Sequence, residues 1–254
     1  MGFFSVLRDS LVLLAREPAL FIPKIVSTLL YLPPYLIIMK AFAAAAKDPL
    51  LARDALSTAF PAAFALLAIM PAWLFLDSLY PVLVQQRRET GRIDFRSAAG
   101  RVLGRFLRVL LFSFLMLAIF MLIVTPLMVI TAFGFVTGLL ALAFAGLLAI
   151  GIMFLVSAIA FYFSPTALLL GNEGVVGSVR RSISLSRENF PLVFFLTLAS
   201  FAVLLLGMYA EGAFEPLGDA GFVAGRLLGA VVTVYLYVVN PSAYLDVHGA
   251  KTRS

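Results

Sequence analysis

The stretch NEGVVGSVRRSISLSRENFPLVFFLTLAS, residues 172–200, passes without a gap from a polar helical face into an uncharged apolar run. From Val175 to Glu188 the apolar residues Val175, Val179 and Ile183 recur every four positions, while Arg180, Ser184 and Arg187 mark the opposite side. That spacing predicts an amphipathic helix. Because it abuts Phe190 and an uncharged segment reaching Ala210, the simplest placement is flat on a lipid surface, apolar side down, with the arginines among the phosphates. The same pattern of surface helix followed by span is read in the rest of the chain.

Composition assigns the class. With 63% hydrophobic and 13% charged residues and a mean hydropathy of +1.07, the chain lies far from the soluble norm. It reads as an integral membrane protein. The net charge of +6 would suggest nucleic acid in a soluble chain, but here the arginines cluster beside apolar spans, where anionic headgroups are the nearer partner. No nucleic-acid partner is therefore expected. The chain has no cysteine and a single histidine, His248, which excludes disulfides, thiol nucleophiles and an imidazole cluster. No metal site and no cofactor are expected.

Gly2 to Arg16 sets Phe4, Leu7, Leu11 and Leu14 on one stripe with Ser5, Asp9 and Arg16 away from it, which reads as a first surface helix. Val6 stands where a myristoylation signal needs Ser or Thr, and the basic lead-in through Lys24 is too long for a signal peptide. Span one is expected over 19–39, bent by Pro33 and Pro34, and span two over 59–84, after a loop at Lys47 to Ser57. Next comes QQRRETGRIDFRSAAGRVLGRFLR, residues 85–108, with seven arginines against two acids. Ser97, Arg101, Arg105 and Arg108 fall on one helical side and Phe95, Val102 and Phe106 on the other, giving a second amphipathic helix. Spans three and four share Val109 to Leu170, parted by a turn near Gly134 to Gly138. Span five reaches Ala210, an acidic loop holds Glu211, Glu215 and Asp219, and span six covers 222–245.

Cytoplasmic flanks carry the excess of Lys and Arg. With both termini inside, fifteen of the nineteen basic residues fall on the inner side, leaving Lys40, Lys47, Arg53 and Arg226 outside. The expected protein is a multi-pass plasma-membrane protein with cytoplasmic N- and C-termini, all-α, with six transmembrane helices and three inner-leaflet amphipathic helices.

Each even span carries a proline near its inner end, in Tyr80-Pro81, Ser164-Pro165 and Asn240-Pro241. Residues Leu7 to Leu13 also match Val179 to Leu185 in pattern. Both registers suggest a single membrane domain over 1–254 built as three repeats, 1–91, 92–171 and 172–254, each a surface helix and two spans.

The residues Ser164-Pro165, Glu173-Gly174, Ser178-Val179-Arg180-Arg181-Ser182 and Leu185-Ser186-Arg187-Glu188-Asn189-Phe190 resemble the membrane domain associated with glycerophosphoryl diester phosphodiesterases and its stand-alone prokaryotic relatives. The resemblance covers about 161–200 and implies a membrane module without carrying over an active site. A looser similarity is to sulfate-permease-type proteins.

Charges inside spans are functional candidates by default. Asp77 is the sharpest, and an ion pair with Lys24 at similar depth competes with a proton or solute site. Arg226 is expected to meet Glu211, Glu215 or Asp219. Gly221, Gly225 and Gly229 form a stripe for close helix packing, within the bundle or between copies. Arg101, Arg105, Arg108, Arg180, Arg181 and Arg187 are the candidates for anionic headgroups or a partner. With no hydrolase motif and no paired intramembrane carboxylates, the expectation is a non-enzymatic lipid-interacting or scaffold module. The alternative is a small channel or permease for an ion or small anion, and a homo-oligomer or membrane-protein partner is left open.

Overall fold

The structure, a computed structural model, describes residues 2–48, 52–171 and 173–251. All regular structure among these residues is helical. Helix α1 (Phe3–Arg16) leads through a short 3-10 turn, Pro18–Phe21, into α2 (Ile22–Lys47), and α3 (Ala52–Asp77) returns beside it. Helix α4 (Leu79–Thr90) prolongs α3, and the short α5 (Phe95–Leu103) leads to the hairpin of α6 (Phe106–Val136) and α7 (Leu140–Ala160). After α8 (Ser164–Leu170) come α9 (Val175–Glu188), α10 (Phe190–Ala213) and α11 (Gly218–Lys251).

Among the described residues six stretches are long and apolar enough to cross a membrane: Pro18–Ala46, Arg53–Thr90, Phe106–Val136, Leu140–Leu170, Phe190–Phe214 and Gly218–Gly249. This is an all-helical membrane protein. Its broad apolar exterior follows from that, because lipid rather than water faces the spans.

Local chemistry sets the breaks. Gly91 ends α4 at φ 72°, a left-handed conformation that favours glycine, and its N–H donates to the Arg87 carbonyl. Asp94 then caps α5 by accepting from the Arg96 and Ser97 backbone N–H groups at 2.9 and 3.2 Å. A proline removes the hydrogen bond to the carbonyl four residues earlier and crowds it. Accordingly α3 stops at Asp77, four before Pro81, and the turn after α7 begins at Phe161, four before Pro165. Helix α11 runs through Pro241, and α2 runs through Pro33 and Pro34 without a break.

Of the three buried clusters among the described residues, one joins α2 and α3 through Ala41, Ala55 and Ala59, and α11 serves the other two. Val234 and Val238 pack with Leu20, Leu83, Val102 and Leu168, while Val239, Ala243 and Tyr244 pack with Val6, Phe163, Leu185 and Val193.

Helix α5 turns its expected side, Phe95 and Val102, to the core, whereas α1 and α9 differ from the sequence expectation because they pack on protein. In α9 the buried residues are Ser178, Ser182, Leu185 and Ser186, whereas Ile183 is exposed and Val175 and Val179 pack half-buried against the core. Small serines let α9 approach closely: Ser182 Oγ accepts from the Phe163 N–H and donates to the Ala160 carbonyl, tying α9 to the turn between α7 and α8. In α1 the buried face is Val6, Ser10 and Leu14, with Phe4 and Leu11 exposed, since α1 lies on α11 and the Tyr235 hydroxyl donates to the Leu7 carbonyl. The helix expected over Ser97 to Arg108 breaks after Leu103, so Arg105 sits at the junction and Arg108 belongs to α6.

The expected loops shrink as well. Helix α3 has begun by Ala52, residues 49–51 of the first loop lying outside the described residues. Glu211 lies inside α10, and the connection to α11 is only Phe214 to Leu217. Between α6 and α7 the turn falls at Thr137 to Leu139, with Gly138 at φ 73°. Between α8 and α9 the chain turns at Gly171 to Gly174, of which Asn172 lies outside the described residues.

Candidate functional site

A cavity of about 650 Å³ lies among the spans, walled by α2, α3, α4, α6, α8, α10 and α11. Its lining is mostly apolar, and Pro81, Pro165 and Pro241 all contribute to it. Trp73 and Leu204 line the cavity and are each more than a third exposed, so the cavity is open between helices at the level of the spans.

The polar wall begins with Lys24. Its Nζ lies 3.1 and 3.3 Å from the two Asp77 oxygens and donates to the Tyr237 hydroxyl at 2.9 Å, and that hydroxyl donates to Asp77 Oδ2 at 2.8 Å. Three spans thereby close one charge-neutral ring. The Lys24 ammonium also stands 4.3 Å from the Tyr237 ring centroid and 5.7 Å from that of Trp73. Buried charges of this kind are tolerated only when paired and hydrogen-bonded. Nearby, Thr166 donates to Asn240 Oδ1, and Asn240 Nδ2 donates to the Tyr162 carbonyl, which links α8 to α11 across the turn.

At the end of the cavity remote from Arg87 to Arg108, Arg226 pairs with Glu211 at 2.9 Å, donates to the Tyr35 hydroxyl at 2.8 Å and stacks over the Tyr35 ring at 4.5 Å. Asp219 pairs instead with Lys40, and the side chain of Glu215 lies outside the described residues. A second cavity of about 360 Å³, lined by Lys40, Asp219, Phe222 and Arg226 among others, shares Glu211 with the central one.

The glycine stripe makes that arrangement sterically feasible. A Cβ at Gly225 would stand 2.7 Å from the Glu211 carbonyl oxygen, and one at Gly229 or Gly221 would press closer still, on Glu211 Oε1 and on the Phe214 carbonyl oxygen respectively. All three glycines are turned to α10 and the turn that follows it, within the same chain.

The six arginines of the basic end divide into two groups. Arg105 donates to the carbonyls of Leu168, Leu169 and Gly171, satisfying the C-terminal end of α8. Burial, with Arg108 and Arg101 nearby, holds its guanidinium below the ordinary arginine range. Arg181 pairs with Glu173 at 2.7 Å and meets His248 Nδ1 at 2.7 Å, and the Glu173 hydrogen bond raises it above that range. Arg101, Arg108, Arg180 and Arg187 are exposed, Arg101 also donating to Gln85 Oε1. Arg87 pairs with Glu17, and Arg88 with Asp246.

Asp77 and Lys24 thus come together at the cavity, Arg226 stands at its far end, and none of the six arginines lines it, although Arg105 bonds the carbonyls of the lining residues Leu168 and Leu169. Sequence reasoning left out Tyr237, Thr28 and Glu211 as cavity residues. Tyr237 had a signal: it stands four residues before Pro241, as Asp77 stands four before Pro81.

A family model described as a domain of unknown function, DUF7847, matches residues 1–244. No curated protein and no solved structure matches the chain.

Proposed function

The chain belongs to the DUF7847 family, and we propose that it is a non-enzymatic membrane module that holds a lipid-like amphiphile in its central cavity. The observation that carries this reading is the cavity itself: about 650 Å³, mostly apolar, open between spans and bearing one compact polar cluster. Binding sites for small molecules commonly combine an apolar lining with a few placed polar groups. Acyl chains of the surrounding bilayer would face such an opening.

In the same reading the exposed arginines Arg101, Arg108, Arg180 and Arg187 engage anionic headgroups at the cytoplasmic leaflet, with both termini on that side. Helices α1, α5 and α9 are then amphipathic elements seated between the bundle and that leaflet. Three repeats of surface helix and two spans are part of the proposal, supported by the meeting of all three repeat prolines at one cavity. The resemblance to the phosphodiesterase-associated membrane domain fits it too, since Ser178, Ser182 and Ser186 of that motif are the contacts that seat α9.

The test is photo-crosslinking in native membranes with a lipid carrying a photoactivatable acyl chain. Labelling concentrated on α2, α6 and α11 at the cavity, and reduced in Ser113→Phe, which fills it from α6, supports the reading. Labelling spread evenly over the lipid-facing helices counts against it.

A second reading, a small permease, is favoured by one observation: Glu211 borders both the central cavity and the one beyond it, with Arg226 across the boundary. Saturable solute flux in proteoliposomes would select it.

A further inference from the structure

Resting on that reading of the cavity, we infer that its ligand is an uncharged amphiphile whose head offers a hydroxyl, carbonyl or ether group, bound at Thr28 beside the Lys24, Asp77 and Tyr237 ring. Thr28 lies one helical turn beyond Lys24 on α2, is fully buried, lines the cavity, and its hydroxyl has no hydrogen-bond partner. Most other polar groups of this region are engaged: Ser27 donates to the Lys24 carbonyl, Ser78 to that of Leu74, Thr233 to that of Ala230, and Thr166 to Asn240. The Tyr80 hydroxyl, buried on the same cavity wall, likewise has no hydrogen-bond partner and offers a ligand head a second contact. A hydroxyl buried among apolar groups without a partner is unfavourable, and a ligand head with one donor or acceptor relieves it.

Charge decides the class of head. Among the described residues the ionised groups lining the cavity are Lys24, Asp77 and Glu211. Lys24 is already held by both Asp77 oxygens and by Tyr237, and Glu211 is held by Arg226. An anionic head would face two carboxylates with no uncommitted cation to receive it. A cationic head would face Lys24, whose ammonium already occupies the faces of Tyr237 and Trp73. A zwitterion needs both partners at once, and the ring has closed on itself. In a low-dielectric interior each of these mismatches excludes a charged head more strongly than it would in water. The neutral head alone gains a hydrogen bond without displacing one.

Trp73 is the only tryptophan of the chain and lines the cavity, so its fluorescence reports occupancy. The full chain in a non-quenching detergent is titrated with a short-chain diacylglycerol brominated on its acyl chains, and with the phosphocholine and phosphoglycerol lipids bearing the same chains. The diacylglycerol should quench saturably, and both charged lipids should bind weaker on the order of tenfold. Thr28→Val should weaken the diacylglycerol by roughly threefold to tenfold. Thr28→Ser, which keeps the hydroxyl, should restore it, and a brominated hydrocarbon should bind all three proteins alike. Equal or tighter binding of either charged lipid, or a Thr28→Val affinity equal to that of the natural protein, overturns the inference and leaves the cavity reading standing. Unsaturable quenching by every probe removes the cavity reading and this inference together.

Discussion

The Tyr237 hydroxyl donates to Asp77 Oδ2 at 2.8 Å, and each of these residues stands four positions before a proline, Pro241 and Pro81. A proline leaves the carbonyl four residues earlier without its helical donor, so the two helices are weakened at the same register. The ring with Lys24 joins them there. The cavity opens beside that junction, which makes the ring both the brace of the spans and the polar wall of the site.

Removing one member of the ring should therefore cost more than removing the pair. Asp77→Asn leaves the Lys24 charge buried with weaker partners, and breaking such a pair is expected to destabilise the fold by about 3–5 kcal/mol. The double change Lys24→Met with Asp77→Leu should recover most of that loss. Thermal midpoints from fluorescence-detected size exclusion in one detergent check the order: single variant lowest, double variant near the natural protein.

The glycine stripe predicts a packing defect. Valine at Gly225 would drive a Cβ into the Glu211 backbone, and overpacking of this kind costs about 1–3 kcal/mol. Alanine at Gly151, where an added Cβ meets nothing within 4 Å, should leave the midpoint unchanged. The same thermal assay compares the two.

The arginines should separate by role. Arg105→Gln deprives the end of α8 of a charged donor and should lower stability by about 1.5–3 kcal/mol, with little effect on lipid surface binding. The quadruple change of Arg101, Arg108, Arg180 and Arg187 to Gln should keep the fold and weaken association of detergent-solubilised protein with anionic nanodiscs, by at most about 1 kcal/mol per residue. That association should fall with added salt in the natural protein and lose most of its salt dependence in the variant.

A module that holds lipid rather than conducting solute should also leave vesicles tight. Ion, proton and small-anion leak from proteoliposomes should equal that of empty controls, and Arg226→Gln should not raise it. Saturable flux above the empty controls would move the reading to a permease.

Hydropathy and length made the six spans legible, because a run of about 20 apolar residues matches the thickness of a bilayer core and exceeds what a water-soluble fold ordinarily buries in one helix. The positions of Lys24, Asp77 and Arg226 could be placed by depth, since a helix advances by a fixed rise and charges in lipid need partners nearby. The face of α5 was legible, since Phe95 and Val102 pack on the core, but those of α1 and α9 were legible only in part. In α9 the serines at 178, 182 and 186 look polar in sequence and turn inward because small side chains permit close contact and can bond to helix ends. The break at Gly104 was hidden because Arg101, Arg105 and Arg108 keep helical spacing across it; in the fold Arg105 stands at the break and meets the α8 carbonyls. Thr28 carried no sequence signal, because a lone threonine in an apolar span ordinarily bonds its own helix.

Native mass spectrometry of the protein released from its membrane in a mild detergent tests the lipid-holding cavity most directly. A cavity so occupied predicts a retained adduct of lipid mass at one copy per chain, uncharged on extraction, and depleted in Ser113→Phe at unchanged thermal stability. A bare chain throughout, or the same adduct at full occupancy in the filled variant, would contradict it.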